Sequence, residues 1–310
     1  MSAVDVLTAG EAMLALRTSG PLATGVALTA SVAGAESNVA IGLSRLGHRA
    51  AWVGRVGDDE AGALVMRTLR SESVDVRSTI DPHATGIMIR RERVPGVTNV
   101  DYHRRQSAGA ALTAADLAAH LGAADQPRWL HISGVTPALS ATACDAVTQA
   151  VAAARAGGIR VSLDVNHRTR LWSPDAAAQV LAPLARSADV VVASEDELPL
   201  VASGPEELLQ AGVSIVAVKR GPDGASLHRS DGTAVDQAAV AVNAVDPVGA
   251  GDAFCAGLLS GLLDDLDTEE VLGRAVLLGG FAVSTYGDWE GLPTRSELGL
   301  LSMRGGDVLR

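Results

Sequence analysis

The run Asp246-Pro-Val-Gly249-Ala250-Gly251-Asp252-Ala253-Phe254 combines a glycine turn, a helix start and a carboxylate. A Gly-rich turn that opens a helix holds an anion, because the first N–H groups of a helix lack internal partners and its dipole adds partial positive charge. A carboxylate beside such a site repels the anion, so Asp252 needs a reason of its own. A base that takes the proton from a hydroxyl attacking a phosphate is such a reason. On this reading Gly249 and Gly251 let the backbone approach closely, and the amides of Ala250, Gly251 and Asp252 face the developing charge. The competing reading is an ordinary turn with Asp252 as a helix-start charge. Two common nucleotide motifs fail. No Gly-Lys pair exists for a P-loop, and Phe254 stands where a dinucleotide fingerprint needs its third Gly.

The elements that must position these residues alternate along the chain. Strands are expected over 4–9, 51–56, 129–133, 161–165, 190–193 and 215–218. Helices are expected over 37–46, 59–69, 141–156, 174–185 and 206–209, and an apolar helix over 254–263. Such alternation predicts a parallel sheet with helices on both faces, whose sites lie at the carboxyl ends of its strands. Asn166, Glu197, Lys219 and Asp252 all fall there. Ala239, Val240, Val242 and Val245 alternate as a strand leading into the glycine turn. Gly287, after a last apolar helix, reads as its cap. Segments 12–34 and 85–106 break the rhythm, with turns at Ser19-Gly20-Pro21 and Pro95-Gly96. They read as a small β lid, or as an edge hairpin without a role. Its exposed edges predict a homo-oligomer.

Composition narrows the class. The 310 residues suit one large α/β domain with an appendage. A net charge of −11 argues against a nucleic-acid surface. It permits an acidic small-molecule substrate held by a local Arg cluster. Cys144 and Cys255 offer no disulfide framework. No long apolar run suggests a membrane span, and the first residues lack a basic leader, so a cytoplasmic setting is expected. Lys219 is the only lysine in the chain. Coding bias explains that, or a compact ammonium is wanted at this position.

The segment Asp246 to Asp252 resembles the C-terminal signature of the ribokinase-like (PfkB) sugar kinases. The first part of that family's pattern is present as Ala33-Gly34-Ala35-Glu36-Ser37-Asn38-Val39-Ala40, Leu46-Gly47 and Gly54-Arg55-Val56-Gly57-Asp58-Asp59. The resemblance runs nearly the whole length. It implies a ribokinase-like Rossmann-type sandwich with a mostly parallel central sheet and a small β lid. It also implies ATP and Mg²⁺ as cofactors, and phosphorylation of a sugar-type primary hydroxyl.

Within the family the chain looks most like the kinases of 2-keto-3-deoxygluconate. The supporting segments are Thr8-Ala-Gly10-Glu11, Tyr102-His103-Arg104, Ile132-Ser133-Gly134-Val-Thr-Pro137 and Leu163-Asp164-Val-Asn166-His-Arg168. The implied reaction is transfer to the C6 hydroxyl. The alternative is a kinase of a neutral ketose, kept open by Met88 where related kinases often carry an aromatic. Arg104 and Arg168 are candidate forks for a carboxylate, or else surface charges or members of salt bridges. Gly34 resembles the place where backbone meets the sugar. Asn38 reads as a donor to sugar hydroxyls or as a helix-start residue. Tyr102 reads as a sugar contact or as lid packing, and His103, Asp246 and Asp288 complete the implied sugar side. For the nucleotide, the resemblance implies Asn166, Arg168, Ser194, Lys219, Arg220, Gly221, Gly224 and the 249–251 turn. Pro222-Asp223-Gly224 is also a plain hairpin turn signal. Glu197 is the implied Mg²⁺ organiser, acting through water, or else part of a helix-start acidic cluster. Ser194 departs from the family's Asn there.

Overall fold

The computed structural model describes residues 4–94, 97–122 and 126–302. The large sheet draws on β1 (Val6–Ala9), β4 (Ala50–Gly57), β5 (Asp75–Asp81), β8 (Trp129–Ser133), β9 (Arg160–Asp164), β10 (Val190–Ser194), β11 (Ile215–Lys219), β12 (Ala225–Arg229) and β13 (Ala234–Gln237). Their order is β13-β12-β11-β10-β9-β8-β1-β4-β5. Every neighbouring pair from β11 to β5 is parallel, and only β12 and β13 turn back. A parallel sheet must be covered on both faces. Helices α1 (Ala35–Arg45), α2 (Glu60–Ser71), α7 (Ala250–Leu263) and α8 (Thr268–Val283) supply one core with Val190 and Val192. Helices α4 (Ala141–Ala156), α5 (Pro174–Arg186) and α6 (Pro205–Gln210), with the short α3 (Ala114–Ala118), supply the other with Val191 and Ala193. Successive β10 residues thus enter opposite cores, as the period of a strand requires. The near-continuous apolar strands in the sequence are the signature of this double burial.

Helix boundaries follow local chemistry. Asp59 accepts the Gly62 N–H at 2.7 Å to start α2, and Ser140 accepts the Ala143 N–H at 3.0 Å to start α4. Ser173 followed by Pro174 opens α5. Helix α7 is apolar nearly all round because the sheet, α1 and α8 enclose it.

A second sheet has the order β3-β2-β6-β7, from β2 (Met13–Thr18), β3 (Thr29–Ala33), β6 (Ile87–Val94) and β7 (Val97–His103). Its registers place Met13, Ala15 and Arg17 beside Met88 and Arg90 on one face, and Met88 opposite Tyr102. The turn expected at Pro95–Gly96 lies outside the described residues.

Three expectations are corrected. Residues 238–245 form no strand: β13 ends at Gln237, and the chain runs on partly exposed. Val240 packs against α8 near Gly280, so the alternation records one-sided packing rather than a ladder. Helix α7 begins at Ala250, not Phe254, which brings Asp252 into its first turn. Gly287 does not cap α8. Ser284 does, with its hydroxyl donating to the Gly280 carbonyl at 2.7 Å, and Gly287 lies beyond in a left-handed turn at φ 116°.

Candidate active site

The N-terminus of α7 is built by one backbone conformation. Gly249 caps it at φ 80°, in the left-handed region that L-residues avoid. A Cβ there would lie 1.9 Å from the Asp288 carbonyl oxygen. The turn therefore needs glycine both for its angle and for the approach of the 284–291 loop. The Ala250 N–H has only a 3.4 Å contact to the Pro247 carbonyl. The N–H groups of Gly251 and Asp252 have no partner among the described residues. Two adjacent unpartnered N–H groups at a helix N-terminus are the kind of donor pair that suits an anion.

Asp252, third residue of α7, is 8 % exposed. Its Oδ2 accepts from Asn38 Nδ2 at 2.7 Å, and its Oδ1 from Asn166 Nδ2 at 3.4 Å. Asn166 follows β9 at φ 38°, a left-handed conformation that Asn tolerates. Burial pushes the Asp252 carboxyl up to about 6, with Asp164 adding to the rise, while Asn38, Arg168 and Lys219 oppose it. A base must be ionised to accept a proton. If Asp252 is that base, kcat/KM for the catalysed reaction is expected to fall as pH drops through about 6. A pH–rate profile checks this; a flat profile down to pH 5 would remove Asp252 from the rate.

The strand ends beneath the turn carry its charges. Lys219 Nζ donates to Asp164 Oδ1 at 2.8 Å and stands 4.0 Å from Glu197. Burial works against the ammonium, yet Asp164 and Glu197 hold it above its ordinary value, so it is a fixed positive charge. It lies 3.4 Å from where a Gly251 Cβ would be, close under the vacant amides. Glu197 accepts the His167 and Ser194 N–H groups, each at 2.9 Å, and so staples the ends of β9 and β10. Arg168 is exposed and has no carboxylate within ion-pair distance among the described residues. Its field nonetheless reaches Asp252. Arg220 pairs with Asp236 at 2.7 Å. Gly221 (φ 54°) and Gly224 (φ 95°) bracket the turn between β11 and β12. Among the described residues no three His, Cys, Asp or Glu side chains converge as a metal cage.

The small sheet faces this turn. Gly34 sits just before α1, where a Cβ would lie 2.3 Å from the Glu11 carbonyl. Tyr102 is half-exposed and packs on the Arg104 guanidinium at 5.4 Å, and His103 is exposed. Arg104 is not a free fork: it pairs with the buried Glu11, which also accepts from Ser107. Asp246 and Asp288 are likewise engaged, both by Arg90. Burial raises the Asp288 carboxyl to about 7 against the pull of Arg90. Met88, 3 % exposed, joins the apolar patch of Met13, Ala15 and Ala33.

Sequence reasoning missed Arg90, Glu11 and Asp164. In Ile87-Met-Ile-Arg-Arg the two isoleucines mark the apolar face, which sets Arg90 outside; the fold instead buries Met88 and Arg90. Two motif residues prove architectural. Arg55 bridges Asp81 and Asp116 at 2.8 and 2.7 Å, and Asp59 ties α2 to Thr85.

Comparison with known proteins places the chain in a family. The model of the pfkB family carbohydrate kinases matches residues 5–295. A 2-dehydro-3-deoxygluconokinase of Bacillus subtilis is 35 % identical, over 95 % of this chain and 94 % of its own. A fructokinase of Escherichia coli is 32 % identical, over 86 % of this chain and 90 % of its own. The crystal structure of an Escherichia coli protein described as a ribokinase II, in complex with ATP and Mg²⁺, superposes with a TM-score of 0.86 at 26 % identity. That match covers 97 % of this chain and 99 % of the other.

Proposed function

The chain belongs to the pfkB family of carbohydrate kinases, and from that premise we propose that it phosphorylates the C6 hydroxyl of 2-keto-3-deoxygluconate (2-dehydro-3-deoxygluconate) with ATP. The observation that carries the reading is Asp252. A buried carboxylate, held by Asn38 and Asn166, stands in the same helix turn as two vacant amides. ATP bound with Mg²⁺ supplies the phosphoryl group, and the metal screens its charge. The protein's residues do the rest. The amides of Gly251 and Asp252, with Ala250 and Gly249 shaping the turn, hold the oxygens of the transferring group. Lys219 adds positive charge, and the Arg220 to Gly224 turn borders the nucleotide. Asp252 takes the proton of the attacking hydroxyl as its oxygen bonds to phosphorus and the bond to the leaving phosphate breaks.

The residues present fit these groups. The unpartnered amides suit a phosphate. Glu197 spends its oxygens on backbone amides but retains lone pairs for water, which suits a Mg²⁺ that keeps its hydration and binds mainly to phosphates. Asn166 Oδ1 and Asn38 Oδ1 are buried without partners among the described residues, so both amides have acceptors to offer. Gly34, Asn38, Tyr102, His103, Arg104 and Asp288 border the sugar, and the small sheet closes over it as a lid that excludes water. Asp246 opens the turn beside it and pairs with Arg90. A second copy of the chain would pair along the free edges β3 and β7. A monomer by sedimentation would remove that last statement.

Arg168 decides between acid and neutral acceptors. It is exposed and has no carboxylate partner among the described residues, whereas Arg104 already neutralises Glu11. Arg168→Ala is expected to lower kcat/KM for the acid by roughly 10–100-fold, the ~1.5–3 kcal/mol of a charge-assisted hydrogen bond. Turnover of neutral sugars should change by less than about threefold. Equal losses on both would assign Arg168 to the nucleotide. The fructokinase relative keeps the neutral ketose as the second reading.

A further inference from the structure

We propose that Arg90 is a positioning residue, the tie through which the small sheet sets the geometry of the anion-binding turn. Arg90 projects from β6 and is 4 % exposed. Its Nη1 donates to Asp288 Oδ1 at 2.7 Å and its Nη2 to Asp246 Oδ2 at 2.5 Å. These carboxylates belong to the two loops that frame Gly249. Asp246 begins the turn: its Oδ1 accepts the Val248 N–H at 3.1 Å, and its Oδ2 also accepts the Gly287 N–H at 3.3 Å. Asp288 lies on the facing loop, and its carbonyl fills the space a Gly249 side chain would need. One rigid guanidinium fork therefore fixes both loops at once, from an element that belongs to neither. A planar fork fixes direction as well as distance, which a lysine cannot do.

Charge makes the tie obligatory. Two buried carboxylates face each other with Arg90 between them. Removing the guanidinium takes from both buried carboxyls the donor that joins their loops, and deleting one partner of a buried pair loosens what the pair held together. The loops would separate, and the Gly251 and Asp252 amides would lose their aim. The amides are the part of the site that acts on the transferring group, so the loss falls on kcat. A cavity of about 280 Å³ lined by Arg17, Thr29, Arg90, Pro247 and Tyr286 leads to the fork, which gives a small cation access.

The proposal rests on the kinase reading but not on the acceptor. Rates are therefore taken with whichever sugar the wild type phosphorylates fastest, so a wrong acid-sugar assignment leaves it standing. Arg90→Ala is expected to lower kcat by about 10²-fold, as a misplacement near 1 Å does, with KM for sugar and ATP held within about threefold. Millimolar guanidinium should restore about tenfold of that loss. Arg91→Ala, which removes the half-exposed pair with Asp101 on the same strand, should leave kcat unchanged. If the alanine variant does not fold, Arg90→Lys carries the test. It keeps the charge without the fork, and about a tenfold lower kcat at constant sugar KM is expected. A folded Arg90→Ala or Arg90→Lys with wild-type kcat overturns the proposal. So does a loss confined to sugar KM, or one that guanidinium does not relieve.

Discussion

Asp252→Asn is expected to yield a folded protein that binds ATP and sugar and transfers phosphate about 10²–10⁴-fold more slowly, the usual worth of a positioned base. The shape of the site survives the change. Asn38 now donates to Oδ2, and its own Oδ1 is buried without a partner among the described residues. Turning the Asn38 amide over offers that oxygen to the new amide group, so no donor faces a donor. The change should also stabilise. Asp252 has a carboxyl raised from 3.8 to about 6 in the folded chain. The stability it contributes is present in full below pH about 4 and is lost as pH rises through about 6. At neutral pH the ionised group therefore weighs against folding, and the asparagine removes that burden. The variant should melt at or above wild type while losing its rate. Activity and stability moving in opposite directions is the mark of a catalytic group; a variant that loses both has merely been damaged. Thermal melts beside initial rates separate the two.

Gly249→Ala carries the second large effect. The residue must adopt φ 80°, which costs an L-residue roughly 1–2 kcal/mol. Its methyl group would meet the Asp288 carbonyl at 1.9 Å, and forced overpacking adds about 1–3 kcal/mol. A loss of about 2–5 kcal/mol is expected from the two together. The clash is with backbone, so relief comes only by moving the 284–291 loop or the turn. Either motion misaims the amides of Gly251 and Asp252, and kcat should fall more than about 10²-fold even where the protein stays folded. Gly251→Ala is the milder comparison, because its Cβ would meet only the flexible end of Lys219 at 3.4 Å. Wild-type melting and turnover for Gly249→Ala would show that the turn is not held as described.

What the sequence disclosed, and what it withheld, divides along physical lines. The strands of the parallel sheet were legible because both faces of each are buried, so Val190 to Ala193 or Ile215 to Val218 read as unbroken apolar runs. Asp252 and its glycines were legible because the chemistry is local: turn, helix start and carboxylate are neighbours in the chain. Arg90, and its pairing with Asp246 and Asp288, were not. Arg90 and Asp288 stand 198 positions apart, and nothing local shows that a lid arginine will bury itself between two loops. Glu11 was hidden in the same way, 96 positions from Ser107. Arg104 and Arg168 looked alike in the sequence and differ in the fold, since only Arg104 meets a buried carboxylate. The segment 238–245 misled because alternation arises from any surface packed on one side, with or without a ladder.

Initial rates of the wild-type protein with ATP, across 2-keto-3-deoxygluconate and a panel of neutral sugars, test the account most directly. The expected result is fastest turnover of the acid, with the phosphate on C6 by phosphorus–proton coupling. Faster turnover of fructose, ribose or a nucleoside, or phosphate on another carbon of the acid, would contradict it.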